Sequence, residues 1–159
     1  MKSFVVALLS SVLAAPVSAV AADSPLSGRW SLDVASLPMP PEARPKRVDL
    51  DFRSVAGGQW ATRVEIVEAS GNTLHSESTL SLDGTPGRAS GTYWIDVLAA
   101  KMPAPDVLVM QFVYEGIPRS TRVYSVSADG KVLTETESYF RDGKPVLRTA
   151  FFKRVADTP

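Results

Sequence analysis

Ser120-Thr121-Arg122-Val123-Tyr124-Ser125-Val126, then Ser127-Ala128-Asp129-Gly130-Lys131, then Val132-Leu133-Thr134-Glu135-Thr136-Glu137-Ser138-Tyr139-Phe140, decides the fold. Two runs of alternating character flank an Asp-Gly step. Alternation with a period of two marks a strand that is buried on one face only. Asp129-Gly130 supplies the positive φ that a tight hairpin turn demands. Asp142-Gly143 repeats the device and leads into a last run, Val146 to Val155.

The same pattern extends upstream. Val48, Leu50 and Phe52 alternate with Asp49, Asp51 and Arg53, and Ala56-Gly57-Gly58 turns the chain. Trp60, Thr62, Val64 and Ile66 alternate with Arg63 and Glu65 up to a turn at Gly71-Asn72. Leu74 to Leu82 follows, and Asp83-Gly84 and Pro86-Gly87 punctuate again. Ala89 to Leu98 is the next strand. A loop at Lys101-Met102-Pro103-Ala104-Pro105 then leads to Val107 through Tyr114, and a turn around Gly116-Ile117 starts the strand Arg119 to Val126. With an early strand at Trp30 to Val34, this predicts an all-β chain of about 8–9 strands. Short turns make sequential strands antiparallel, and closing an up-and-down meander into a barrel removes its two edges. A two-sheet sandwich is the alternative. Ala35 to Pro45, with four prolines plus Leu37 and Met39, fits neither helix nor central strand. It reads as a stiff surface loop, or as a lid using Leu37 and Met39 as a plug.

Residues 1–22 read as a secretory signal peptide, and 23–159 as one domain. Lys2 is followed by an apolar stretch from Phe4 to Leu13, too short to span a bilayer, then Pro16 and small residues. Cleavage is expected after Ala22, with Ala19 as the rival site and an uncleaved anchor as the alternative. The expected location is periplasmic or secreted. The chain has 17 basic and 17 acidic residues. Losing Lys2 leaves no basic excess and no basic stripe, which argues against nucleic acid as a partner. No later run suits a membrane span. The absence of cysteine removes disulfides and thiol chemistry, so the core alone must hold the domain.

Catalytic and metal signals are weak. His75, the single histidine, shares parity with Glu77 and falls on the water face. Asp49/Asp51 and Glu135/Glu137 have the spacing of a solvated strand face. No nucleotide-binding glycine loop occurs. The reading is of a protein that is not an enzyme and has neither cofactor nor metal. The rival functional classes are a protein-interaction module with a filled barrel and, below it, a cavity enzyme of isomerase or cyclase type.

Ser27-Gly28-Arg29-Trp30-Ser31-Leu32, the hairpin series, and the closing Phe151-Phe152-Lys153-Arg154-Val155 together resemble the lipocalin-like domains of many exported bacterial proteins. These belong to the wider lipocalin and fatty-acid-binding barrel group. The resemblance implies that Trp30 plugs the closed end of the barrel and that Arg154 or Lys153 packs over its ring. It also implies a small amphipathic or apolar ligand, lipid-like and anionic in some members, held inside.

Hairpin register adds an independent expectation, because residues paired across a turn share a face. Pairing Val126 with Val132 sets Tyr124 opposite Thr134, Arg122 opposite Thr136 and Ser120 opposite Ser138. It sends Glu135 and Glu137 to water. A two-residue turn at Asp142-Gly143 pairs Glu137 with Arg148, outward. A three-residue turn at Glu115-Gly116-Ile117 brings Met110 opposite Arg122 and Phe112 opposite Ser120. A two-residue turn there would instead put Arg119 inside. The predicted ligand-binding set is therefore Arg122, Tyr124, Met110, Phe112, Thr136 and Ser138. Arg122, with no carboxylate on its face, would seat an anionic head group. The competing reading is that Arg122 is paired internally and structural.

Overall fold

The structure, a computed structural model, describes residues 24–156. The predicted signal peptide lies outside the described residues. Ten strands form one closed antiparallel barrel: β1 (Gly28–Leu32), β2 (Arg47–Val55), β3 (Gln59–Val67), β4 (Thr73–Ser81), β5 (Asp83–Gly91), β6 (Val97–Ala104), β7 (Val107–Tyr114), β8 (Ile117–Val126), β9 (Val132–Arg141) and β10 (Lys144–Arg154). Each strand pairs with the next, and β1 closes onto β10 through Trp30–Arg154 and Leu32–Phe152. Among the described residues no helix is long and apolar enough to cross a membrane.

The barrel has ten strands rather than the expected 8–9, because the stretch read as one strand, Ala89 to Leu98, is two. Residues 92–96 leave the ladder as a loop, and β6 runs through Lys101 to Ala104, the segment expected to be a loop. Gly84, Pro86 and Gly87 read as turns, yet they lie in β5, which absorbs them with a register shift between Asp83 and Pro86. A proline and glycines inside a strand are tolerated where the ladder is irregular.

The barrel's two ends differ. At one end Leu26 and Trp30 are fully buried, and Trp30 Nε1 donates to the Leu26 carbonyl at 2.9 Å. The Arg154 guanidinium lies 4.1 Å from the centre of the Trp30 ring. It also donates to the carbonyls of Pro25, Ser27 and Gly130 at 2.6–2.8 Å. Lys153 instead pairs with Asp33, on the outside, at 2.9 Å. Phe52, Trp60, Tyr124, Leu108 and Leu133 fill the barrel above this plug, with Phe52 edge-on to Tyr124 at 5.3 Å. At the other end the proline-rich connection makes two single 3-10 turns, Val34–Ser36 and Pro41–Ala43. Leu37 is buried there, and Met39 packs against the core.

Candidate ligand-binding site

Two turns place the central side chains. The β7–β8 turn has two residues, Glu115 and Gly116, both at positive φ, with Tyr114 paired to Ile117. On its own this would send Arg119 inward. A bulge corrects it: Val113 pairs with Pro118 but Phe112 pairs with Ser120, so Arg119 is the extra residue. Met110 therefore faces Arg122 and Leu108 faces Tyr124, as a three-residue turn would have set them. Arg122 and Tyr124 do point into the barrel.

The β8–β9 turn overturns the other half of the register. Val126 pairs with Leu133, not Val132, so Tyr124 faces Glu135 and Arg122 faces Glu137. The loop is built from side chains. Gly130 N–H donates to the Ser127 carbonyl at 2.8 Å, Ser127 Oγ donates to Asp129 Oδ1 at 2.6 Å, and Val132 N–H donates to Ser127 Oγ at 3.0 Å. These bonds give a four-residue loop between Ser127 and Val132. The turn's own chemistry, rather than the Asp-Gly step alone, sets the pairing. One residue of slip exchanges the faces of β9. Thr136 and Ser138 lie exposed on the outer wall and leave the predicted binding set. Glu135 and Glu137 are buried, at 5% and 6% exposure. The β9–β10 pairing of Glu137 with Arg148 is as expected, but it faces inward.

The result is a buried charge network. Arg122 Nη2 lies 3.0 Å from Glu137 Oε1, and Nη1 lies 3.6 Å from Glu135 Oε2. Arg148 Nη2 lies 2.5 Å from Glu137 Oε2. Arg122 also donates to the Tyr93 hydroxyl at 3.0 Å and stands 4.5 Å over the Phe112 ring. Burial opposes its charge, but Glu135, the two tyrosine hydroxyls and Glu137 hold its proton well above the ordinary arginine value. Burial, and then Glu135, push the Tyr124 hydroxyl well above its usual value, so it stays protonated. Two arginines face two glutamates, and the premise that no carboxylate shares Arg122's face does not hold.

Two spaces adjoin this network. A cavity of about 160 Å³ lies beneath the proline-rich segment, walled by Leu37, Met39, Val48, Ile66 and Phe152 among other apolar groups; its polar wall is Tyr93, Arg122, Glu135 and Arg148. A cleft of about 250 Å³ lies on the far side of Tyr93, Arg122 and Arg148, bordered by Phe112, Ser120, Tyr139 and Trp94. Arg148 Nε is buried with no hydrogen-bond partner among the described residues. Of the predicted set, Arg122 borders both spaces and Phe112 the cleft, while Met110 and Tyr124 are buried and border neither. Glu135, Glu137, Arg148 and Tyr93 were not in that set. The alternation would have found the glutamates had Leu133, fully buried here, been given the inner face.

This barrel has counterparts among solved structures. A mutant of the fluorescent protein UnaG matches with a TM-score of 0.53 and 12% identity over 84% of this chain and 98% of that one. The fold is that of the fatty-acid-binding and lipocalin-like barrels. Zebrafish ileal bile acid-binding protein complexed with cholic acid also aligns, with a TM-score of 0.49 and 10% identity over 83% of this chain and 100% of that one. A scan against protein-family models gives no match, and neither does a search of curated proteins.

Proposed function

We propose that this chain is an exported small-molecule-binding barrel, working in the periplasm or outside the cell, and that its ligand lies beneath the segment 34–45. One observation carries the reading: the apolar cavity under Leu37 and Met39 has a single polar wall, at Tyr93, Arg122, Glu135 and Arg148. Apolar lining with a few convergent polar groups is the general form of a ligand site. The zebrafish neighbour is a bile acid-binding protein, which agrees with the reading but does not carry it.

The polar wall argues for a neutral head group. Arg122 and Arg148 already have carboxylate partners, so a ligand anion would find no uncompensated cation. The ligand is thus compact, mostly apolar and uncharged. Catalysis has less support. His75 is exposed on the outer wall, and the Tyr124 hydroxyl, which holds its proton, is no base.

The test is a titration of the purified protein with the neutral single-ring fluorophore methyl anthranilate, together with the Ala150→Phe variant. Ala150 lines the cavity and is 5% exposed, so a phenyl ring there occupies the ligand's place. Saturable binding to the parent that drops at least tenfold in the variant supports the site. Equal binding by both proteins, or none by the parent, removes it.

A protein-interaction role is the second reading, and a different observation favours it. Trp94, Ile117, Phe140 and Leu147 are 61%, 59%, 74% and 76% exposed. Phe140 and Leu147 stand on neighbouring positions of the β9–β10 outer wall. Large exposed apolar groups gathered on one region mark contact surfaces. Under this reading Leu147→Asp abolishes partner capture and leaves fluorophore binding intact.

A further inference from the structure

The two interior spaces share three walls, Tyr93, Arg122 and Arg148. The arginines are held in place by buried glutamates. Tyr93 differs: it is neutral and comes from the loop 92–96 rather than from a strand. The backbone explains why its ring reaches the centre. Gly91 sits at φ +133°, where a Cβ would stand 2.2 Å from the His75 carbonyl oxygen, so only glycine lets the two chains approach this closely. That same carbonyl accepts from both Thr92 N–H and Tyr93 N–H, each at 2.9 Å. Ile95 N–H then donates to the Tyr93 carbonyl at 2.6 Å and closes a tight turn. The loop is pinned at its root, and the Tyr93 hydroxyl meets Arg122 Nη2 at 3.0 Å.

We infer that Tyr93 is the specificity-determining partition of the barrel: it divides the interior into an inner chamber and an outer cleft, and so restricts the ligand to a short, ring-sized apolar group. This deepens the binding reading above and rests on it. The magnitudes fit. The inner chamber is about 160 Å³. An apolar protein cavity of roughly 150 Å³ takes a molecule the size of benzene, whereas drug-sized ligands need about 300 Å³ or more. Only by passing the Tyr93 ring does an extended chain gain the further 250 Å³ of the cleft. The partition is also selective in its chemistry. Its hydroxyl accepts from Arg122, so removing only that oxygen loosens the ring without deleting it.

The experiment is competition of straight-chain primary alcohols, of roughly four to sixteen carbons, against bound methyl anthranilate, a neutral fluorophore with a single ring; each added buried methylene is worth about 0.8 kcal/mol, or about fourfold in affinity, until the chain meets a wall. The proteins compared are the parent, Tyr93→Ala and Tyr93→Phe, each first checked for native circular dichroism. In the parent the gain per methylene stops at a short chain. In Tyr93→Ala it continues to longer chains, raising the affinity of the longest alcohols at least tenfold while the shortest change little. Tyr93→Phe keeps the ring and the short optimum. Tyr93→Leu, with a smaller side chain than tyrosine, shifts the optimum the same way and serves if the alanine variant does not fold. An identical chain-length optimum in all proteins that bind the fluorophore overturns the partition and leaves the binding site standing. No fluorophore binding by the parent overturns both.

Discussion

Replacing Arg122 with methionine tests the buried network most directly. Methionine keeps most of the apolar stem and removes the cation. At an effective dielectric of about 20, charges at the observed 3.0 and 3.6 Å attract by roughly 5 kcal/mol each, and desolvation of the ions offsets much of that. The outcome depends on what the abandoned carboxylates do. Glu137 keeps Arg148 at 2.5 Å, so only Glu135 loses its cation. Removing one partner of a buried ion pair costs about 3–5 kcal/mol, because the other charge is left buried and uncompensated. The lost cation–π contact with Phe112 adds up to about 1 kcal/mol, for a total loss of about 3–6 kcal/mol. The assay is urea unfolding of parent and variant at pH 7. With a slope of about 2 kcal/mol/M, the midpoint moves by about 2 M. The double variant Arg122→Met/Glu135→Leu recovers most of the loss, because no charge is then left alone. A deficit under about 1 kcal/mol, or a double variant no more stable than Arg122→Met alone, refutes the reasoning.

Three further outcomes follow from the fold. Gly91→Ala puts a methyl group against the His75 carbonyl at an unfavourable φ; it costs at least about 2 kcal/mol and speeds amide exchange in residues 92–96, read by hydrogen–deuterium exchange. Arg154→Ala removes three carbonyl bonds and the contact over Trp30; it lowers stability by about 2 kcal/mol and shifts Trp30 fluorescence, measured by thermal melting with emission detection. The Asp129 carboxyl is held below its ordinary value of 3.8 first by Ser127 and then by the Lys131 N–H, so its hold on the 127–132 loop is intact above that value and fades as pH falls below it. Amide exchange at Gly130 and Val132, compared at pH 5 and pH 3 after correction for intrinsic rates, shows selective loosening at pH 3, which Asp129→Asn reproduces at both pH values.

The architecture was legible because it depends on pattern. Alternation in Val48 to Arg53 and in Leu108 to Tyr114, with Asp-Gly steps between runs, requires antiparallel hairpins, and a meander with no covered edge must close. What failed to show was where β5 ends and β6 begins. Gly84, Pro86 and Gly87 carry turn chemistry, yet the neighbouring strands hold them in the ladder: Gly87 packs so closely on Leu80 that a Cβ would sit 2.4 Å from its Cδ2. Tertiary packing there overrides local preference. Tyr93 stayed hidden for the same reason, since a strand spanning Ala89 to Leu98 contains no loop to deliver it.

The candidate site was harder to read because it depends on register. The β9–β10 hairpin carries apolar groups on both faces: Leu133, Ala150 and Phe152 inside, Phe140, Leu147 and Phe151 outside. Hydrophobicity alone therefore leaves its orientation undecided, and the two glutamates tip a sequence reading toward water. The actual arrangement is held by a cost that a face-by-face reading cannot weigh. Turning Glu135 and Glu137 inward is prohibitive for either alone, but Arg122 comes from β8 and Arg148 from β10, one on each side of β9. A strand flanked by two inward arginines is the one strand in which inward glutamates are compensated. The same pairing that stabilises this register also empties the cavity wall of net charge. An arrangement adopted to satisfy the fold thus sets the chemistry of that wall: its two guanidinium groups each already face a carboxylate.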